Sequence, residues 1–139
     1  MSINTIQMAT DKSTILKTFN QTFFDFMNDV ISIFPENTDI VAGKKFFEIT
    51  KKANPTIIIK IWNNAIYSPY KDVINAGDIT FFFEKNYEDD LGGLENAGEV
   101  LKFIDSFREP IRVMSDKNKE HSMQYIQILS RLSEVYSSL

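Results

Sequence analysis

The sequence predicts an all-α fold, a single-domain bundle of about five to seven helices, and three observations lead to this prediction. Apolar residues recur at intervals of three and four over most of the chain, which is the spacing of one helix face. Capping residues and prolines stand where these stretches begin and end. A chain of 139 residues with 43% hydrophobic content can build one core without metals or disulfides.

The first helix is predicted over residues 13–34. Asp11 or Ser13 is expected to cap its start, and Pro35 to mark its end. Residues 1–12 precede the pattern and are predicted to form a flexible arm, which leaves 13–139 as the single helical domain. The apolar face of this helix consists of Leu16, Phe19, Phe23, Phe26, Met27, Val30 and Phe34.

A shorter helix is predicted over residues 38–53, after a turn, with Gly43 as its weak point. Asn54 and Pro55 follow directly, a capping residue and a proline suited to the first position of a helix. The sequence therefore predicts that a new helix starts at this pair.

That helix is predicted to run over residues 55–76. Ile57 to Ile61 also has strand propensity, but the stretch continues without a turn signal, which favours a helix. Pro69 removes one backbone donor, so a break is expected near Ser68. Gly77 is a suitable residue to end the helix.

The middle of the chain is more ambiguous. Asp78 is expected to cap a short helix over residues 79–87, although Phe81 to Phe83 is also compatible with a strand. Residues 87–97 are acidic, contain two adjacent glycines and predict a loop.

Two further helices complete the prediction. One begins near Val100 and is expected to end before Pro110, with residues 111–114 as a bridge. Ser115 is expected to cap the last helix, which continues to the end of the chain. Its apolar face consists of Met123, Ile126, Leu129, Leu132 and Tyr136.

Residue types that carry chemistry are scarce. There is no cysteine and one histidine, His121, which excludes thiolate catalysis and thiolate metal sites. Asp25 and Asp29 lie one helical turn apart and share a face, an arrangement that can bind a divalent ion or support acid–base chemistry. A solvated face explains the pair more simply. The sequence therefore predicts a protein that is not an enzyme and has no cofactor or metal.

Charge is distributed unevenly around a net value of −4. Residues 43–60 hold five lysines against one glutamate, a net charge of +4, whereas residues 84–99 hold six acids against one lysine, a net charge of −5. A protein that is acidic overall is poorly suited to general nucleic-acid binding. The longest aliphatic run, Ile57 to Ile59, is too short to span a membrane, so an intracellular protein is expected.

Two groups of residues are candidates for contact with a partner. The first contains four lysines that helical spacing can bring to one side of a helix, where they would meet an acidic protein or a phosphate; a solvated face is the alternative. The second group is aromatic and has the composition of an interface, with a place in the core as the alternative. The candidates are Lys44, Lys45, Lys51 and Lys52, and Trp62, Tyr67 and Tyr70.

A resemblance to known proteins is carried by residues 34–39, 52–55, 104–111 and 118–126, together with Trp62. These segments resemble small helical proteins of large DNA viruses that infect algae and other protists. The resemblance covers roughly residues 15–136. It implies a viral source, in the host cytoplasm or nucleus or in the virion, and it carries no catalytic residues.

Three functions follow as hypotheses. The leading one is a non-catalytic helical viral protein that acts through protein–protein contacts with a viral or host partner. The second is an accessory protein that binds nucleic acid through the lysines. The third is an enzyme that depends on carboxylates alone.

Overall fold

The computed structural model describes residues 11–80 and 106–139, and within these ranges the chain is an all-α bundle without strands. The fold class predicted from the sequence is confirmed. The predicted arm over residues 1–12 lies almost wholly outside the described ranges. The predicted acidic loop and nearly all of the short helix before it also lie outside them.

The helices follow one another closely. Helix α1 spans Lys12–Ile33, α2 spans Thr38–Ala53, and α3 is the short helix Ile57–Ile61. A π-helical segment, Trp62–Tyr67, joins α3 to α4, which spans Ser68–Asn75. Residues 106–113 are helical, and the last helix, α5, spans Asp116–Ser138.

Side-chain caps fix the starts of the three long helices. The Asp11 carboxylate accepts a hydrogen bond from the backbone N–H of Ser13 at 3.0 Å, so Asp11 rather than Ser13 caps α1. Asn37 accepts from two backbone N–H groups at the start of α2. Ser115 accepts from Asn118 at the start of α5, as predicted. Each cap satisfies donors that the first helical turn leaves unpaired.

The helix predicted over residues 55–76 is interrupted, but differently from the prediction. The strand alternative for residues 57–61 is wrong because these residues form α3. The π-helical segment follows, in which the Ser68 N–H donates to the carbonyl of Asn63. Pro69 has no N–H to offer the preceding turn, and Tyr70 leaves helical geometry at φ −120° and ψ 25°. The predicted break near Ser68 is therefore spread over the residues from Trp62 to Tyr70.

Gly77 ends α4, as expected, through a hydrogen-bond pattern that requires a left-handed residue. Its φ is +80°. The Gly77 N–H donates to the carbonyl of Ile74, and the Asp78 N–H donates to that of Val73, both at 3.0 Å. These two bonds form a Schellman motif, which satisfies carbonyls at the helix end.

The predicted helix end before Pro110 is wrong. Residues 106–113 are helical and continue through the proline. Proline keeps a helical φ and removes only one donor. Pro110 and Ile111 are both buried, and Ile111 belongs to the core cluster.

The core lies between α1 and α5; the π-helical segment packs on α5 and reaches α1 through the ring of Trp62. Phe19, Phe23 and Trp62 form its aromatic centre, with the two phenyl rings meeting the indole edge-on at 6.2 and 6.4 Å. Helix α2 folds back on α1, where the Phe47 ring lies 5.3 Å from that of Phe23. This α1–α2 hairpin leaves a groove along its outer side.

Candidate functional site

A shallow groove of about 290 Å³ lies between α1 and α2. The first helix contributes two amide side chains and an aromatic ring, and the second contributes three cations and one anion. We call it the lysine groove. It is lined by Gln21, Phe24 and Asn28 from α1 and by Lys44, Glu48, Lys51 and Lys52 from α2.

Phe24 sits on the rim of the core and is only partly buried. Its ring meets that of Phe23 edge-on at 5.4 Å on one side. The ammonium group of Lys51 lies 5.5 Å from the Phe24 ring centroid, a cation–π distance. The aromatic ring therefore holds one of the cations of the groove against the α1–α2 hairpin.

The lysines of the groove have no carboxylate partner among residues 11–80 and 106–139. Lys44, Lys51 and Lys52 are spaced three or four residues from Glu48, which would allow ion pairs along the helix. Within the described ranges, however, none of these lysines forms an ion pair, in contrast to Lys71, which lies 3.3 Å from Glu134. No carboxylate of the described ranges neutralises these three charges.

Lys45 is the predicted lysine that does not line the groove. It is exposed on the outer face of α2, one turn before Ile49, which is 69% exposed. The structure therefore brings three of the four predicted lysines together and leaves the fourth beside them.

The predicted aromatic group is divided. Trp62 is 4% exposed and Tyr67 is 5% exposed, so both belong to the core, as the alternative interpretation held. Their hydrogen bonds are internal: the Tyr67 hydroxyl donates to Glu134 at 3.2 Å. Tyr70 is partly buried at the kink of α4. Burial removes Trp62 from any direct contact with a partner.

A second groove, of about 650 Å³, lies between α4 and α5 and is lined mostly by polar side chains. Several of its polar groups are already paired: Gln127 donates to the Ile74 carbonyl at 3.0 Å, and Glu134 accepts from Tyr67. Glu134 also pairs with Lys71. The lysine groove, which gathers three cations that pair with no carboxylate of the described ranges, is the stronger candidate.

The carboxylate pair is exposed and lines neither groove. Asp25 accepts a hydrogen bond from Gln21, and Asp29 accepts one from the Tyr125 hydroxyl at 2.5 Å. This bond to Asp29, with burial and the negative charges nearby, raises the pKa of Tyr125 to about 12. His121 is exposed at the start of α5.

Metal-binding clusters and membrane-spanning helices are absent from the described residues. In residues 11–80 and 106–139, no group of three or more histidine, aspartate or glutamate side chains is placed to hold a metal ion. No helix in those ranges is long and apolar enough to cross a membrane.

Sequence reasoning missed the α1 side of the lysine groove. Gln21, Phe24 and Asn28 follow one another at spacings of three and four, beside the apolar stripe that includes Phe23. That spacing is a usable signal for a second helix face. Only the hairpin with α2, however, brings this face to the lysines.

Comparisons with protein-family models, with curated proteins and with solved structures found no match.

Proposed function

We propose that this chain is a non-catalytic helical protein of a large DNA virus that acts through protein–protein contacts in the virion or the infected cell. The viral source rests on the resemblance of residues 15–136 to such proteins. The lysine groove is the surface that we assign to the contact.

One observation carries this proposal: Lys44, Lys51 and Lys52 converge in one groove, and no carboxylate in the described part of the chain pairs with them. Exposed lysines are ordinarily solvated and contribute little to stability, even in pairs. Concentrated in a concave surface, they create a local positive potential on a protein whose net charge is −4. A positive groove on an otherwise acidic protein attracts an acidic partner and orients it.

Nucleic-acid binding ranks second. Affinity for nucleic acid grows with the number of phosphates neutralised, and the groove offers three cations beside Glu48. The carboxylate-dependent enzyme ranks third because Asp25 and Asp29 are exposed outside both grooves, whereas a catalytic pair is expected to line a pocket.

Affinity purification from infected cells with mass spectrometry tests the proposal, with virus particles as a second sample. Reversal of the three groove lysines to glutamate should remove the main protein partner. The matched control reverses Lys60, Lys117 and Lys119, which lie elsewhere on the surface and change the net charge equally. Partner sets that are identical for the two triple variants would contradict the proposal.

A further inference from the structure

We infer that the lysine groove binds an acidic peptide segment of the partner, with aspartate or glutamate carboxylates placed between Lys44, Lys51 and Lys52. The inference rests on the proposed function and names the chemistry of the partner. It follows from the charge, the size and the unpaired groups of the groove.

The lysine groove carries a net positive charge. Three lysines against Glu48 give the groove a net charge of +2 (3 − 1). Although Glu48 lies at ion-pair spacing from all three lysines, it pairs with none of them. An incoming carboxylate therefore meets three ammonium groups that no carboxylate of the described ranges pairs, and it meets one like charge, that of Glu48.

The volume of the lysine groove is small. A volume of about 290 Å³ stands at the lower end of the range of small-molecule sites, which runs from about 300 to 1,000 Å³. The groove is therefore of a size that suits individual side chains. Single-strand binding proteins instead use an extended basic channel with several stacking rings, whereas this groove has the single ring of Phe24.

The polar and aromatic side chains of α1 favour the binding of a carboxylate in the lysine groove. Asn28 is exposed, and its side chain forms no hydrogen bond within the described chain, so its amide can donate to a carboxylate. Phe24 fixes the position of Lys51. A preorganised cation loses less freedom on binding than a free lysine does.

Substitution of Lys44 distinguishes an effect on binding from an effect on the stability of α2. Lys51 and Lys52 lie in the last turn of α2, where the helix dipole favours cations whatever their function. Lys44 lies in the middle of the helix, without that benefit. Its neighbour Lys45 has the same charge and the same helix but points outside the groove, so the two residues form a matched pair for a test.

The test measures binding of a short fluorescein-labelled oligoglutamate peptide to the full chain by fluorescence anisotropy at low salt, with oligoglutamine of equal length as the control peptide. Lys44→Glu should weaken binding about tenfold, since one exposed ion pair contributes up to about fivefold and reversal adds repulsion. Lys45→Glu should change it less than about twofold. Glu48→Gln should strengthen binding about two- to fivefold because it removes the like charge. Circular dichroism verifies the helix content of each variant, and Lys44→Gln repeats the test without a new charge.

Three outcomes would overturn the inference. Equal losses for Lys44→Glu and Lys45→Glu would mean that binding is diffuse and does not use the groove. Tighter binding of single-stranded oligonucleotides with the same dependence on Lys44 would make nucleic acid the ligand. No binding of oligoglutamate would exclude an acidic peptide, while a protein partner lost in the groove triple variant would still support the proposed function.

Discussion

The indole N–H of Trp62 donates a hydrogen bond to the Ser130 hydroxyl at 2.9 Å, and this bond joins the π-helical segment to α5. Both residues are buried. Ser133, one turn later, donates to the Ser130 carbonyl at 2.8 Å and lies 3.3 Å from the Asn63 side chain. Small hydroxyl residues thus let α5 approach the irregular segment and satisfy its polar groups.

Ser130→Ala is expected to lower the free energy of unfolding by about 1–2 kcal/mol, because it leaves the buried Trp62 N–H without an acceptor. Urea unfolding followed by circular dichroism measures the change. Ser137→Ala is the matched control on the same helix: its hydroxyl is exposed and donates to the Glu134 carbonyl, so its loss leaves no buried donor unpaired and its effect should stay within about 0.5 kcal/mol. Equal effects at the two serines would contradict this assignment.

Phe19 is expected to be among the costliest core positions. It is fully buried, and its ring lies 6.4 Å from Phe23 and 6.2 Å from Trp62. Phe19→Ala should reduce the free energy of unfolding by about 3–5 kcal/mol, from lost transfer free energy and the cavity that remains. Ile49→Ala removes a large apolar side chain that is 69% exposed and should cost less than about 0.5 kcal/mol. Thermal unfolding of both variants checks the contrast, and a small loss at Phe19 would show that the core collapses around it.

Local signals predicted the helices well where a cap and a proline coincide with the apolar period. The predicted helix over residues 13–34 appears as Lys12–Ile33, and that over 38–53 as Thr38–Ala53. The start of α2 and the end of α1 follow from interactions between neighbours in sequence. Asn37 satisfies N–H groups two and three residues on, and Pro35 disfavours helical geometry at the residue before it, Phe34, whose φ is −125° and ψ 66°. Such interactions involve neighbours in sequence and can be read without the fold.

The π-helical segment and the groove could not be predicted in this way because both depend on residues distant in sequence. The position of Trp62 is fixed by Ser130, which lies 68 residues further along the chain. The groove depends on the register of the α1–α2 hairpin, which places Phe24 beside Lys51. The apolar period identified one face of each helix, but it did not show which face of α1 packs against which face of α2. The lysines were therefore found from the sequence, and their aromatic partner was not.

Gly77→Ala is expected to destabilise the protein by about 1 kcal/mol through the backbone alone. An added Cβ would meet only Gln127 Nε2, at 3.6 Å, which is an ordinary contact. The φ of +80°, however, is unfavourable for any residue with a Cβ. Gly77→Asn should cost less, since asparagine tolerates this region better. Equal stability of the alanine variant in chemical denaturation would mean that the Schellman turn rearranges freely.

The Tyr125–Asp29 hydrogen bond predicts a loss of stability at alkaline pH. Because the bond requires the neutral phenol, it raises the pKa of Tyr125 to about 12 from the ordinary 10.0. Because the pKa is raised in the folded state, the hydrogen bond stabilises the fold fully below pH 10. This contribution to the free energy of unfolding disappears as the pH rises towards 12. Tyr125 is partly exposed, so screening should keep this contribution below about 1 kcal/mol. In Asp29→Asn, the Tyr125 phenol should titrate nearer to pH 10 in an ultraviolet titration, with Tyr125→Phe identifying its signal. An unchanged titration in Asp29→Asn would show that the carboxylate does not hold the hydroxyl in solution.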